Sequence, residues 1–362
     1  MSQTIRFWFN SIAYGLAAAL VIILLMPELR DKVGISAFTQ KVINPEAMSF
    51  AYAVKEAAPA VVNVYSAEIQ YRNYATQPKL NDLGSGVIMT SNGHILTNYH
   101  VVDNAQIIRV LLQDGRQYDA EVIGLDEVTD LALLKIDETN LPSIPQDSEL
   151  KAQVGDIVLA IGNPLNLGQT ITQGIISAIG KRGIGTNSGY ADFIQMDAAI
   201  NMGSSGGALV NSRGKLVGIN AAMAKERPTD AQKDIEGIFF AIPYQLAKKI
   251  MLQLLEDGEV KRGYLGLNGI PIDHAGVPVR SSVDPIAGIR ITNVDPLGPA
   301  WNGGLLTGDI LLAADGKQLA SFQDLILLVE NTVPETVLEF SISRKGRLEK
   351  KTIKVGKLGA SS

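Results

Sequence analysis

The stretch Asn-Met-Gly-Ser-Ser-Gly-Gly at residues 201–207 runs directly into the apolar residues 208–210. A nucleophilic serine needs a sharply turned backbone whose amide N–H groups face a developing oxyanion. Glycine allows both, because it has no side chain to restrict the turn or to block a substrate carbonyl. The stretch therefore predicts Ser205 as a nucleophile, with the amides of Gly203 and Ser205 forming an oxyanion hole.

A histidine and an aspartate precede this stretch, each beside an apolar run. His100 lies in the run 95–102, and Asp130 opens the run 130–136. Histidine side chains act as bases near neutral pH, so His100 can take the proton of a serine hydroxyl. A carboxylate at Asp130 would hold the imidazole in the correct tautomer and stabilise the imidazolium. The order His, Asp, Ser is that of chymotrypsin-like double barrels and not that of α/β-hydrolases or subtilisins.

Each of these three features has an ordinary explanation when it is taken alone. A histidine after an apolar strand is commonly a satisfied core or edge residue, an aspartate before such a run is commonly a turn or cap, and a Gly-Ser-Gly cluster is commonly a loop. It is their order on an all-β background that favours a catalytic triad.

Short apolar runs at regular spacing supply that β background, and they favour barrels or sandwiches. One clear helix is predicted from about Tyr244 to Asp257, ending at Gly258 as helices often do. We therefore predict a mainly β protease domain, a chymotrypsin-like double β-barrel, over residues 48–258. Its predicted strands cover residues 60–65, 86–90, 95–97, 109–113, 117–123, 131–136, 157–161, 170–179 and 215–220.

A second, smaller domain is predicted over residues 261–356. A helix is expected to start at Ser321, because Asp324 three residues later offers a capping arrangement. Its predicted strands cover residues 289–294, 310–313, 337–343 and 352–355.

Composition excludes several classes of function. The chain has 362 residues, no cysteine and three histidines. Thiol catalysis, disulfides and thiolate metal sites are therefore excluded, and we expect neither a metal centre nor a cofactor. The net charge of −5, with no basic stripe, argues against nucleic acid as a partner.

The amino terminus predicts a membrane anchor at residues 5–26. This apolar run has one charge, Arg6, at its amino end, and its length as a helix is about one bilayer thickness. A cleaved signal peptide would have a shorter apolar core and small residues before a cut site. Trp8, Phe9 and Tyr14 suit a membrane interface. We expect a cytoplasmic stub at residues 1–4 and a linker at 27–47; a buried core helix is the alternative interpretation.

Three motifs resemble those of HtrA-type serine proteases, namely residues 96–102, 129–135 and 203–209. The resemblance covers nearly the whole chain after residue 48 and implies that His100, Asp130 and Ser205 form the triad. Met202 stands where this family commonly has proline or histidine, and Ser204 where it commonly has asparagine. Activity is expected to survive both departures, because the backbone of the turn matters more than those side chains. Ser204 is the rival nucleophile.

The second domain carries motifs that resemble a PDZ domain. Residues 262–267 look like its carboxylate-binding loop, and residues 298–316 like its central turn and strand. A PDZ site captures an extended C-terminus by strand addition, while loop amides bind the carboxylate. The resemblance implies a peptide site at Tyr264, Leu265, Gly266 and Leu267. The alternative is that this loop only connects a helix to a strand.

The resemblance also implies regulatory and specificity elements. Lys181 and Arg182 lie in a glycine-rich segment, residues 180–189, which in this family relays occupancy of the PDZ or substrate site. Two solvated charges on a flexible loop are the alternative. Ile238 lies where the family shapes its specificity pocket, so a small aliphatic side chain is expected before the cleaved bond.

An anchor followed by one protease domain and one PDZ domain resembles the membrane-tethered branch of the family. This implies a single-pass bacterial inner-membrane protein with a cytoplasmic amino terminus and periplasmic domains, and a homotrimer with contacts at Phe50 and Tyr52. It also implies regulated cleavage of a membrane-anchored anti-sigma factor, in response to exposed C-termini of misfolded outer-membrane proteins. The alternatives are a general periplasmic quality-control protease and a non-enzymatic PDZ chaperone or scaffold. An α/β-hydrolase would need a histidine after the serine, leaving only His274.

Overall fold

The computed structural model describes residues 3–25, 49–72, 75–164, 168–181, 193–221, 237–273, 276–278, 287–319 and 321–358. It divides into one unit at Met1–Phe50 and another at Ala51–Ser362. The first unit contains helix α1 (Gln3–Leu25). The second contains two β-barrels and a C-terminal domain.

Helix α1 covers most of the predicted membrane anchor. Side chains are described only for residues 6–19, 21 and 22, and the large apolar ones among them, Trp8 and Tyr14 included, are exposed. Within the residues that the structure describes, no helix is long and apolar enough to cross a membrane. The predicted linker at residues 27–47 lies outside the described residues.

The first barrel follows a short helix, α2 (Ala51–Ala57), and a 3-10 turn (Ala58–Ala60). Six strands close in the order β1-β2-β3-β6-β5-β4. Alternate buried side chains fill its interior, as in any small closed barrel. The strands are β1 (Val61–Arg72), β2 (Ala75–Ile88), β3 (His94–Thr97), β4 (Ile107–Leu111), β5 (Gln117–Asp126) and β6 (Leu131–Ile136). Between β3 and β4 lies the short helix α3 (Tyr99–Val102).

The second barrel closes in the order β10-β11-β12-β9-β8-β7. Its strands are β7 (Ile157–Gly162), β8 (Thr170–Lys181), β9 (Phe193–Met196), β10 (Ala208–Asn211), β11 (Leu216–Asn220) and β12 (Phe239–Pro243). Helix α4 (Tyr244–Asp257) leaves β12 and packs against β5 and β6 of the first barrel. That cover explains why five of the six residues of β6 are buried, on both faces of the strand.

The C-terminal domain is built on one main sheet, in which β14 lies at an edge. The order is β14-β15-β16-β18-β19, and β17 also pairs with β16. The strands are β13 (Gly263–Tyr264), β14 (Leu267–Ile272), β15 (Gly288–Val294), β16 (Ile310–Ala314), β17 (Lys317–Gln318), β18 (Val337–Arg344), β19 (Arg347–Lys354) and β20 (Gly356–Lys357). The helices are α5 (Pro299–Asn302) and α6 (Phe322–Glu330). A core of its own, centred on Phe340, Leu311 and Leu305, holds the domain together.

A buried ion pair joins the C-terminal domain to the first barrel. The guanidinium of Arg262 donates two hydrogen bonds to the carboxylate of Asp126, at 2.6 and 2.8 Å, and a third to Glu330 of α6 at 3.3 Å. The side chains of Arg262 and Asp126 are each 5% exposed. Asp126 also accepts the hydroxyl of Thr129. The pair therefore ties the C-terminal domain to the turn that precedes Asp130.

Loss of the Arg262 side chain is expected to destabilise the protein by about 3–5 kcal/mol, because it leaves the carboxylate of Asp126 buried without its partner. Thermal unfolding of the Arg262→Ala variant measures this. The neighbouring Lys261 is the matched control: its ion pair with Asp257 is exposed, so Lys261→Ala should leave the unfolding temperature nearly unchanged. Equal shifts in the two variants would contradict the expectation.

Candidate active site

The first barrel brings His100 and Asp130 together through the pairing of two strands. Strand β3 runs antiparallel to β6, with Thr97 opposite Ala132. His100 follows β3 in helix α3, and Asp130 ends the turn before β6. Residues 30 apart in sequence therefore meet at one end of the barrel.

The side chains of His100 and Asp130 are in close contact, and a backbone hydrogen bond supports that contact. Nδ1 of His100 lies 2.8 Å from Oδ2 and 2.9 Å from Oδ1 of Asp130, and the backbone N–H of His100 donates to Oδ1 at 3.0 Å. Asp130 has a φ of +56°, and its carbonyl accepts from the backbone N–H of Tyr99 and the amide of Asn98. Since a carboxylate only accepts, Nδ1 of His100 carries a proton toward it. In the neutral ring, Nε2 is then left as the acceptor.

Tyr99, beside His100, does not compete as an acid or base. Its hydroxyl donates to Asp103 at 2.9 Å. That hydrogen bond, followed by burial, raises the pKa of Tyr99 to about 12. The phenol therefore stays protonated at neutral pH.

The turn that carries Ser205 belongs to the second barrel, immediately before β10. Gly206 has a φ of +82°, and a Cβ there would lie 2.2 Å from the carbonyl oxygen of Ser85. A Cβ on Gly207 would lie 2.2 Å from the carbonyl oxygen of Ile161. Glycine is therefore required at both positions, and Ser205, directly before them, is half-buried.

The two amides expected to form an oxyanion hole have no acceptor among the described residues. Neither the N–H of Gly203 nor that of Ser205 makes a backbone hydrogen bond there. Gly203 has a φ of +94°, which favours glycine. Among the described residues, the turn thus has two donors without an acceptor next to the hydroxyl of Ser205.

Ser204 and Met202 differ sharply in their surroundings. Ser204 is 5% exposed, and it lines a cavity of about 30 Å³ together with Thr172 and Asn220. A nucleophile must reach a substrate, so this burial argues against Ser204 as the rival. Met202 is 77% exposed, which explains why an unusual residue is tolerated there.

The predicted peptide-binding loop connects β13 to β14. Tyr264 ends β13 and its hydroxyl donates to Asp295 at 2.9 Å; Leu265 is buried and its carbonyl accepts from Ala300 at 2.8 Å. Gly266 has a φ of +73°, and Leu267 begins β14. The carbonyl of Gly266 also accepts the N–H of Asp295 at 2.7 Å, so the loop is fixed at three points beside the edge strand of the sheet.

Helix α6 lies next to that edge strand. A Cβ on Gly269 of β14 would be 3.4 Å from the ring of Phe322. An edge strand with a helix beside it is the arrangement that accepts an added peptide strand.

The remaining predicted site residues are only partly described. Lys181 ends β8, but its side chain and the whole of Arg182 lie outside the described residues, as does His274. Ile238 is half-buried just before β12. Tyr52 of α2 is 66% exposed, and Phe50 is half-buried.

Ser85 of β2 is a residue that sequence reasoning missed. It is fully buried, and its hydroxyl donates to the carbonyl of Gly203 at 2.7 Å. The sequence feature that could have pointed to Ser85 is its position between Gly84 and Gly86, at the start of an apolar run. A contact over 118 residues gives no local pattern.

Comparison with known proteins agrees with this geometry. Residues 84–219 match the trypsin-like peptidase domain and residues 263–355 match the PDZ domain, within the two predicted domains. The chain is 42% identical to the serine endoprotease DegS of Haemophilus influenzae, over 94% of this chain and 95% of that protein. It is 43% identical to DegS of Escherichia coli strain K12, over 92% and 93%.

Solved structures of similar chains are also serine proteases of this type. A serine endoprotease from Yersinia pestis is 44% identical with a TM-score of 0.69, covering 86% of this chain and 98% of that one. The HtrA-type protease AlgW with a decapeptide is 38% identical with a TM-score of 0.75, covering 86% and 100%. The chain therefore belongs to the HtrA-type serine endoprotease family that includes DegS, and it is a serine endopeptidase with a PDZ domain.

Proposed function

We propose that Ser205 is the nucleophile, His100 the general base and acid, and Asp130 the residue that orients the imidazole. Oγ of Ser205 attacks the scissile carbonyl carbon while Nε2 of His100 takes its proton. The amides of Gly203 and Ser205 stabilise the oxyanion, and His100 then returns the proton to the leaving amine. Water then attacks the acyl carbon while His100 takes its proton, the bond to Oγ of Ser205 breaks, and His100 returns the proton to Oγ. The observation that carries this proposal is the double contact of His100 with Asp130.

We propose that the PDZ domain binds the C-terminus of an activating peptide, with Tyr264, Leu265, Gly266 and Leu267 around the terminal carboxylate. The position of β14 at an edge of the sheet, beside α6, supports strand addition. Solved structures of AlgW with a decapeptide and with a tripeptide also support peptide binding.

Regulation of the protease by that peptide has a physical route in the ion pair already described. Arg262 connects Glu330 of the PDZ helix α6 to Asp126, and Asp126 accepts from Thr129, next to Asp130. A peptide that moves α6 would change the contacts of Asp126. The segment with Lys181 and Arg182 is proposed as a second relay to the oxyanion turn, and Ile238 as a wall of a pocket for a small aliphatic side chain.

For location and biological role we propose the membrane-tethered form: an inner-membrane anchor at residues 5–26, periplasmic domains, and a homotrimer with Tyr52 and Phe50 at the contact. The substrate is a membrane-anchored anti-sigma factor, and the signal is the exposed C-terminus of a misfolded outer-membrane protein. The apolar residues of α1 that are exposed support the anchor. Carbonate extraction of membranes tests it, since an anchored chain stays in the pellet.

The test of regulation uses the full chain in detergent with a reporter peptide substrate. An added peptide with a hydrophobic C-terminal residue should raise kcat/KM by about 5- to 150-fold, the usual range of allosteric coupling. The same peptide with an amidated C-terminus is the control, because it lacks the carboxylate that the loop would bind, and it should have no effect.

One alternative is tested with unfolded casein in place of the reporter peptide, and two others are incompatible with the findings above. A general quality-control protease would degrade unfolded casein rapidly without any peptide, and full basal activity of that kind would remove the switch. A non-enzymatic scaffold is not compatible with a serine endopeptidase. An α/β-hydrolase is excluded by the two closed barrels.

A further inference from the structure

A buried serine of the first barrel is inserted between two loops of the second. Ser85 is 0% exposed; its Oγ accepts the backbone N–H of Asn163 at 2.9 Å and donates to the carbonyl of Gly203 at 2.7 Å. A hydroxyl has a single proton. The hydroxyl of Ser85 acts as an acceptor toward the N–H of Asn163, so its proton remains available for the carbonyl of Gly203.

The backbone of Ser85 holds the same turn at a second point. Its N–H donates to the carbonyl of Ser205 at 2.8 Å, and its own carbonyl accepts the hydroxyl of Thr97 at 2.7 Å. Ser85 therefore binds the carbonyls of both Gly203 and Ser205. These are the two residues whose amides are proposed to face the oxyanion.

The turn needs such bonds because its sequence does not fix its shape. Gly203 and Gly206 both have positive φ, and glycine adopts many other conformations at little cost. The peptide between Gly203 and Ser204 lies between the two proposed oxyanion donors. Rotation of that peptide would change the angle between their N–H groups.

We propose that the Ser85 hydroxyl is a positioning residue for the oxyanion hole. It locks the Gly203–Ser204 peptide so that both amides point to one place before the substrate arrives. Being fully buried, it does not touch the substrate itself. The proposal rests on the roles proposed above for Gly203 and Ser205.

The Ser85→Ala variant tests this proposal. We expect kcat for a peptide substrate to fall about 10- to 100-fold, less than the loss of an oxyanion donor itself, with KM within about twofold. Affinity for a peptide aldehyde, which forms a tetrahedral adduct at the serine, should fall by a similar factor. The pH profile of kcat/KM should keep its shape, because His100 and Asp130 are untouched.

Ser66 provides a matched control in the same barrel. It is also fully buried, and within the described part of the chain its hydroxyl makes one long bond, of 3.4 Å, to the carbonyl of Asp82. Ser66→Ala should leave kcat within about twofold of the parent, as expected for a weak bond away from the turn. An equal loss in the two variants would show a general effect of a buried serine and would overturn the proposal.

A second substitution keeps the test decisive if Ser85→Ala does not fold. Ser85→Cys fills nearly the same space with a weak donor, and the chain has no other cysteine with which it could pair. A reduced kcat with unchanged KM and unfolding temperature supports the positioning role. A kcat equal to that of the parent in the Ser85→Cys variant would contradict the proposal. The proposed role of Ser205 is tested apart from this, by its own replacement.

Discussion

Replacement of Ser205 by alanine is expected to lower kcat by on the order of 10⁶-fold, the size typical for removal of a triad nucleophile. No other described hydroxyl of the turn can take its place, because Ser204 is 5% exposed and faces a cavity of about 30 Å³. The turn itself should persist, since the substitution leaves the bonds from Ser85 to the carbonyls of Gly203 and Ser205 in place. Hydrolysis of a fluorogenic peptide measures the loss.

Ser204→Ala is the matched control for this substitution. It removes the same atom from the adjacent residue, and we expect kcat to stay within about tenfold of the parent, because the buried side chain of Ser204 does not reach the substrate. A fluorophosphonate label should react with the Ser204→Ala variant but not with the Ser205→Ala variant. Labelling of the Ser205→Ala variant would reassign the nucleophile to Ser204.

The second large effect is expected at Asp130, where asparagine should lower kcat about 10⁴-fold with little change in KM. Oδ1 accepts the backbone N–H of His100 at 3.0 Å, so the single carbonyl oxygen of an asparagine would take that place. Its NH₂ group would then face Nδ1, which must become an acceptor. The ring proton moves to Nε2, and His100 can no longer take a proton from Ser205.

The measurements for Asp130→Asn separate this cause from misfolding. The unfolding temperature should stay close to that of the parent, because the asparagine has the same shape and asparagine tolerates the φ of +56°. Asp103→Asn is the control: this carboxylate also lies beside helix α3, where it accepts the hydroxyl of Tyr99. It should keep kcat within about twofold, since it does not contact the imidazole. A loss at Asp103 as large as that at Asp130 would contradict the tautomer argument.

Local signals in the sequence predicted the parts of the fold that local chemistry determines. The helix from Tyr244 to Asp257 ends at Gly258, which has a φ of +75°, as expected of a C-terminal glycine. Ser321 caps α6 by accepting the N–H of Asp324 at 3.0 Å. Both confirmed predictions depend on residues within one turn of each other.

Elements set by distant pairing were harder to predict. Strand β9 (Phe193–Met196) has only four residues and gave no signal, since it depends on β8 and β12 for its hydrogen bonds. Strands β1 and β2 pair as far as Arg72 and Ala75, well beyond the predicted strands at 60–65 and 86–90. Backbone pairing in register extends both strands beyond what side-chain pattern alone indicates.

The site shows the same division between local and distant causes. The order and setting of His100 and Asp130 predicted their association, and the two side chains are in contact. The roles of the site residues stay predictions until they are tested. Ser85 and Asn163 could not be found in this way, because their partners lie in the other barrel and only the folded chain joins them.

The division of the site between two barrels has a consequence for the newly made chain. All six strands of the first barrel have been synthesised by Ile136, which is 69 residues before Ser205. A nascent chain that folds from its amino end therefore brings His100 and Asp130 together before Ser205, the proposed nucleophile, has been made. The second barrel closes only with β12, at residues 239–243. With Ser205 in its proposed role, a partly made chain therefore gains proteolytic activity only when nearly the whole protease domain exists.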